Sequence, residues 1–240
     1  MNIDLNCDLG EGVGADEALM PLVTSANIAC GGHAGGGAVM SRAVELARAH
    51  GVAIGAHPGF EDRENFGRRE LMLPRAELVD LVSRQIDALR SLTPLVHVKP
   101  HGGLYTLAAR DRETADAIAE AVALADPSLR LIGSSGSELL RAARRWDLPV
   151  AAEVFADRRY QADGSLVPRG RPNALIENVE EALAQVLRMI RERVVESVDG
   201  VVVPIEAQTL CVHGDGPHAL ALAKRLREEL ADAGVEVRAL

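Results

Sequence analysis

Polar and apolar residues alternate at the start of the chain, Asn2, Asp4, Asn6 and Asp8 against Ile3, Leu5, Cys7 and Leu9. A period of two is that of a strand with two unlike faces. Downstream, short apolar runs take turns with segments of helical spacing. Strands are predicted over 25–29, 52–57, 95–99, 129–133, 150–155, 201–205, 209–213 and 235–238, and helices over 39–50, 74–92, 111–125, 137–146, 174–195 and 217–233. Gly51 stops the first helix and Pro74 opens the second, each where its backbone chemistry suits a helix end. Repeated βα units imply a mostly parallel sheet screened by helices. No change of composition and no Pro/Ser-rich linker divides residues 1–240, so a single domain is expected. The pattern predicts an α/β fold closed into a TIM-like (β/α) barrel of seven or eight strands. Closure is preferred to an open sheet because of where the polar residues fall.

Candidate chemistry collects at one end of these strands. Asn6-Cys7-Asp8-Leu9-Gly10-Glu11 closes the first, Cys30-Gly31-Gly32-His33 follows the second, and Gly55-Ala56-His57-Pro58 ends the third. His97-Val98-Lys99-Pro100-His101 ends the fourth, and Glu153-Val154-Phe155-Ala156-Asp157-Arg158 and Cys211-Val212-His213-Gly214-Asp215 end two later ones. Parallel barrels build active sites on that rim, where loops are free of packing duty. Scattered surface polarity would not select one end of every strand.

Taken singly, the residues leave alternatives open. His33, His57, His101 and His213 with Asp8, Glu153 and Asp215 could bind a divalent metal and activate water, with Asp8, His33 and His57 the candidate ligands. Alternatively, they bond one another and a polar substrate without a metal. Glu153 interrupts an apolar strand, where a carboxylate is costly to bury without a partner. Either chemistry or an ion pair with Arg158 or Arg159 is therefore expected. Asn6 shares the face of Asp8, and Glu11 lies on a glycine-rich turn that lets a ligand approach backbone amides.

Composition narrows the function. Apolar residues at 48% and charged residues at 25% are ordinary for a globular domain. With 26 basic against 35 acidic residues the net charge is −9, so binding of nucleic acid through a basic face is excluded. No apolar run approaches the roughly 20 residues of a membrane helix. Residues 1–5 lack the basic and apolar regions of a signal peptide, and Cys7, Cys30 and Cys211 have no paired spacing. A cytoplasmic location follows, with the thiols filling packing space. Lys99 and Lys224 are the only lysines among the 26 basic residues. Lys224 lies in a charged helical stretch, whereas Lys99 sits between histidines, where an ammonium, unlike a guanidinium, can change protonation state. No G-x-x-x-x-G-K-[ST] loop is present, so no nucleotide site is expected on this chain.

These stretches together resemble the LamB/YcsF family, whose characterised function is that of the A component of 5-oxoprolinase. The matching segments run from Ile3-Asp4-Leu5-Asn6-Cys7-Asp8 through Ser25-Ala26-Asn27-Ile28-Ala29-Cys30-Gly31, His33-Ala34-Gly35, Phe66-Gly67-Arg68-Arg69 and Val98-Lys99-Pro100-His101-Gly102 to Cys211-Val212-His213-Gly214-Asp215. The chain departs from the family pattern at Gly32, where Phe is usual, at Gly36, where Asp is usual, and at Gly216, where Thr is usual.

The resemblance implies a seven-stranded barrel like those of glycoside hydrolases and deacetylases. It also implies a hydrolase acting on a cyclic amide, the ATP-dependent opening of 5-oxoproline to L-glutamate. Two partners, 5-oxoprolinase subunits B and C, would carry ATP and activate the lactam. On that reading the catalytic set is Asp8, His33, His57, Lys99, His101, Glu153 and Asp215. Asn6, Glu11, Arg69, Arg158 and His213 would contact the substrate, with Arg158 or Arg69 on its carboxylate. The alternative is a stand-alone metal-dependent hydrolase of amides or N-acetyl groups.

Overall fold

The computed structural model describes residues 1–13, 15–213 and 219–240. Six parallel strands follow one another around a barrel: β1 (Asn2–Leu9), β2 (Ser25–Ala29), β3 (Ala53–His57), β4 (His97–Val98), β5 (Arg130–Ser134) and β6 (Val150–Phe155). An antiparallel hairpin outside the barrel, β7 (Val194–Glu196) and β8 (Val202–Pro204), then intervenes. β9 (Thr209–His213) pairs with β6 on one side and β1 on the other, which closes the barrel at seven strands. β10 (Glu236–Val237) extends the sheet beside Asn2 and Ile3.

The helices are α1 (Asp16–Leu19), α2 (Gly37–His50), α3 (Arg75–Arg90), α4 (Gly102–Ala108), α5 (Arg112–Ala125), α6 (Glu138–Arg145), α7 (Val179–Arg191) and α8 (Ala219–Asp232). Their ends carry the expected chemistry. Asp111, Ser137 and Asn178 accept the backbone N–H of Thr114, Leu140 and Glu181 at the starts of α5, α6 and α7. Gly51 ends α2 at φ 65°, in the left-handed region.

The alternation along β1 sorts side chains to two buried sides. Ile3, Leu5, Cys7 and Leu9 join the apolar core between sheet and helices. Asp4, Asn6 and Asp8 are also buried, and they bond across the inside of the barrel. This interior is therefore a hydrogen-bonded polar column. At its foot Asp4 accepts from the hydroxyls of Thr24, Ser25 and Thr209. Asn6 and Asn27 carry the network upward to Glu153, Asp8 and His97.

Several elements differ from expectation, among them the short α1, which the pattern does not predict. The predicted helix over 174–195 is shorter at both ends: it begins at Val179 after the Asn178 cap, and Arg193 adopts φ 58° so that Val194 and Val195 leave it to pair with Pro204 and Val203. The strand expected over 201–205 accordingly lies in that hairpin, outside the barrel. α4 was hidden behind Gly102-Gly103, a pair that reads as a turn.

Candidate active site

Register places the rim residues. Asp8 lies beside Asn27 of β2 and His213 of β9, and His57 lies beside Ala29. Lys99 and His101 follow β4, their N–H groups bonded to the carbonyls of Ala56 and Pro58 on the β3 side. A cavity of about 770 Å³ opens over this end of the barrel, walled by Asp8, Glu11, His57, Lys99, His101 and His213 among others.

The cavity floor is an ionic cluster. Lys99 Nζ lies 2.9 Å from Asp8 Oδ1 and 2.8 Å from Glu153 Oε1, with the lysine 2% and the glutamate 0% exposed. It also reaches Asn6 Oδ1 at 3.2 Å and Cys211 Sγ at 3.1 Å. Burial works against the ammonium, yet the neighbouring charges, Asp8 foremost, raise its pKa well above the ordinary lysine value. The raised pKa keeps the lysine an ammonium in this setting. Burial also opposes charge on Asp8, but His57 and Lys99 outweigh it and hold this carboxyl well below the usual range. Glu153 accepts from Asn6 Nδ2 at 3.0 Å and from Tyr105 Oη at 2.6 Å. Its ion-pair partner is Lys99 and neither of the expected arginines, since Arg158 bonds the carbonyl of Val167 and Arg159 pairs with Glu181.

Beside this floor stand three histidines. His57 Nδ1 lies 2.7 Å from the carbonyl of Lys99, and its Nε2 lies 3.4 Å from Asp8 Oδ2 and 2.9 Å from His101 Nδ1. His101 Nε2 lies 2.9 Å from the carbonyl of Phe66. His33 stacks on His101 with ring centres 3.6 Å apart, and its Nε2 is 3.2 Å from Glu11 Oε1. Burial, then the charge of His57, lowers the His33 pKa to about 2 and takes His101 well below the ordinary histidine value. The Glu11, His33, His57 and His101 donor atoms all lie within 4.8 Å of one another, and so do those of Asp8, Cys211 and His213. The first cluster can hold a divalent metal. It holds His33 and His57 of the expected trio together with Glu11 and His101, while Asp8 lies alongside with Oδ1 on Lys99 and Oδ2 3.4 Å from His57 Nε2.

Across the cavity His213 Nδ1 lies 3.0 Å from both carboxylate oxygens of Asp157. Burial disfavours charge on Asp157, but His213, Arg169 and Arg158 overcome it and lower its pKa. Arg158 is buried, its Nε has no hydrogen-bond partner among the described residues, and burial followed by Arg169 lowers its pKa to about 10.

Of the expected substrate contacts, Glu11, Arg158 and His213 wall the cavity. Asn6 lies beneath the floor and supports Lys99 and Glu153, while Arg68 takes the wall position expected for Arg69. Asp215 lies outside the described residues. Sequence reasoning missed Tyr105 and Asp157. Asp157 had a signal, since it follows strand β6 beside Arg158; Tyr105 sits on the unanticipated α4 and had none.

The glycine departures have local consequences. A Cβ on Gly32 would meet Gln85 Oε1 at 2.6 Å and the carbonyl of Gly59 at 2.7 Å. Gln85 fills that space, bonding the N–H and C=O of Gly59. Gly36 occupies the N-cap of α2 and offers no side chain to its first amides. Cys7, Cys30 and Cys211 are buried free thiols, and burial pushes Cys30 up to about 12.

Fold and basin define a TIM-like α/β barrel with acid–base groups gathered at the C-terminal mouth of its strands. The chain belongs to the LamB/YcsF family, whose profile matches residues 3–240. It is similar to the crystal structure of a lactam utilization protein from Thermus thermophilus, at 48% identity, TM-score 0.93 and full coverage of both chains. A family 4 carbohydrate esterase from Streptomyces lividans shares the fold at 13% identity and TM-score 0.50, over 98% of this chain and 91% of that one. T48 deacetylase does so at 12% identity and TM-score 0.52, over 98% and 86%. Among the described residues, no helix is long and apolar enough to cross a membrane.

Proposed function

We propose that this chain is the ring-opening component of a cytoplasmic, ATP-dependent 5-oxoprolinase and acts with partner subunits B and C. The observation that carries the reading is Lys99, a buried ammonium held between Asp8 and Glu153 at the floor of a cavity that also presents imidazoles. The 48% identity to a lactam utilization protein points the floor toward a cyclic amide.

A lactam is a resonance-stabilised amide and resists attack by water. Phosphorylation of its oxygen by ATP on the partners makes the ring carbon electrophilic. Water beside Asp8 gives its proton to the Asp8 carboxylate at Oδ2 as the water oxygen bonds to that carbon, and His57 lines the same position. Negative charge developing there meets the fixed ammonium of Lys99. The C–N bond breaks, and the nitrogen leaves as an amine after taking a proton from His213, which Asp157 orients through Nδ1. Loss of the phosphate to water completes glutamate. Arg158, whose buried Nε has no hydrogen-bond partner among the described residues, holds the substrate carboxylate. Glu153, bonded to Lys99, Asn6 and Tyr105, positions the lysine.

Reconstitution tests this. The chain mixed with both partners, ATP and 5-oxoproline should release glutamate, and omission of any component should stop it. Asp8→Ala or Lys99→Ala should abolish turnover; wild-type rates from either would refute the assignment. Turnover of N-acetylated sugars by the isolated chain without ATP would favour the deacetylase-type alternative.

A further inference from the structure

We propose that Glu11 Oε1, His33 Nε2, His57 Nε2 and His101 Nδ1 form a binding site for one divalent first-row transition metal of the zinc class. Two backbone carbonyls fix the tautomers of two of its three histidines, His57 and His101. A carbonyl oxygen only accepts, so the imidazole nitrogens facing Lys99 O and Phe66 O must carry hydrogen: His57 through Nδ1 and His101 through Nε2. In neutral rings this leaves His57 Nε2 and His101 Nδ1 as lone-pair nitrogens, and they face each other at 2.9 Å. Two lone pairs at that distance repel unless a positive species lies between or beside them. A carbonyl holding the far N–H is also the arrangement that fixes metal-binding histidines in tautomer and direction.

Glu11 Oε1 completes the set, 3.2 Å from His33 Nε2 and 3.4 Å from His101 Nδ1. Metal–nitrogen bonds of about 2.0–2.1 Å give a tetrahedron with edges of about 3.3 Å. Three of the six separations, 2.9, 3.2 and 3.4 Å, bracket that edge, and all six lie within 4.8 Å. Three imidazoles and one carboxylate suit zinc, cobalt, nickel or iron(II) over magnesium or calcium, which prefer all-oxygen shells. Asp8 is not a ligand in this assignment; Lys99 and Asn27 hold its Oδ1. An ion there would stabilise negative charge on a substrate oxygen near the cavity floor.

Metal binding is measured on the isolated chain and ring opening on the complex, so either reading can fail without the other. Protein stripped with a chelator and titrated with Co²⁺ should develop a visible ligand-field spectrum that saturates at one equivalent. Zn²⁺ should displace it, and millimolar Mg²⁺ should not. Glu11→Gln and His101→Gln should each weaken Co²⁺ binding by more than about 100-fold, the upper range for loss of a supporting group alone. Asp8→Asn should retain the spectrum and the single equivalent. Circular dichroism melts establish that each variant is folded; if one is not, His33→Gln replaces it. No spectrum with the wild type would mean a proton alone lies between the rings and would overturn the proposal. So would binding that survives the ligand substitutions, or binding lost in folded Asp8→Asn.

Discussion

Lys99 receives its partners from three strands, Asp8 from β1, Glu153 from β6 and Cys211 from β9. Removing one member of a buried ion cluster leaves the others uncompensated, at a cost of about 3–5 kcal/mol. Lys99→Met should therefore lower the urea midpoint substantially, and the double variant Lys99→Met/Glu153→Leu should recover part of the loss. A double variant less stable than Lys99→Met would show that the cluster is not the source. A different readout applies to Asp157, whose carboxylate touches His213 Nδ1. Asp157→Asn should reduce kcat of the reconstituted complex by about 10²–10⁴-fold with little change in KM; a change confined to KM would assign the pair to binding. Most of these residues were legible because each sits where a period-two run meets Gly or Pro. Their pairing was not, because Asp8 and Glu153 are distant in sequence and meet only across the closed barrel.

At the scale of elements, local chemistry sets the ends. Asp111 caps α5 by accepting from the N–H and the hydroxyl of Thr114, and these bonds lower its pKa. A depressed carboxylate stabilises the fold above its unfolded pKa and loses that contribution as pH falls through the folded one. Asp111→Ala should cost about 1 kcal/mol at neutral pH. The gap to wild type should stay level down to about pH 4 and close below it; a gap that persists in acid would place the effect elsewhere than the cap. The loop bearing His33 depends on Gly35, which has φ 65° and would set a Cβ 2.2 Å from the carbonyl of Gly10. Gly35→Ala should displace that loop and abolish glutamate release by the complex, while near-normal rates would show that it tolerates a side chain. Helix starts at Asp111 and Ser137 could be read from the residues alone, whereas α7, expected from 174, begins after Asn178. The end of α7 could not, because Val194 and Val195 continue its apolar spacing and only the pairing with β8 draws them away.

For the whole molecule, the consequence of the barrel is closure. β9 bonds to β1 as well as to β6, so the first and last barrel strands support each other. We propose that residues 1–240 unfold as one cooperative unit. Trp146, the single tryptophan, lies at the end of α6, and its fluorescence should change over the same urea range as far-UV circular dichroism. Separate transitions would divide the chain. The polar column from Asp4 to Lys99 also has meaning only at this scale, since each polar side chain in it bonds to a residue from another strand.

The alternation of the barrel strands with most of their helices, the two unlike faces of β1 and the gathering of acidic, imidazole and ammonium groups at strand ends were determined by the sequence alone. Backbone periodicity and turn chemistry are local properties, and a few neighbouring residues suffice to express them. Tertiary structure decided which buried face turned inward, that Asp8 would neutralise Lys99, and that Glu11 and His101 would join His33 and His57. Those outcomes depend on distances between groups far apart along the chain, and such distances exist only once the sheet has curved round and closed.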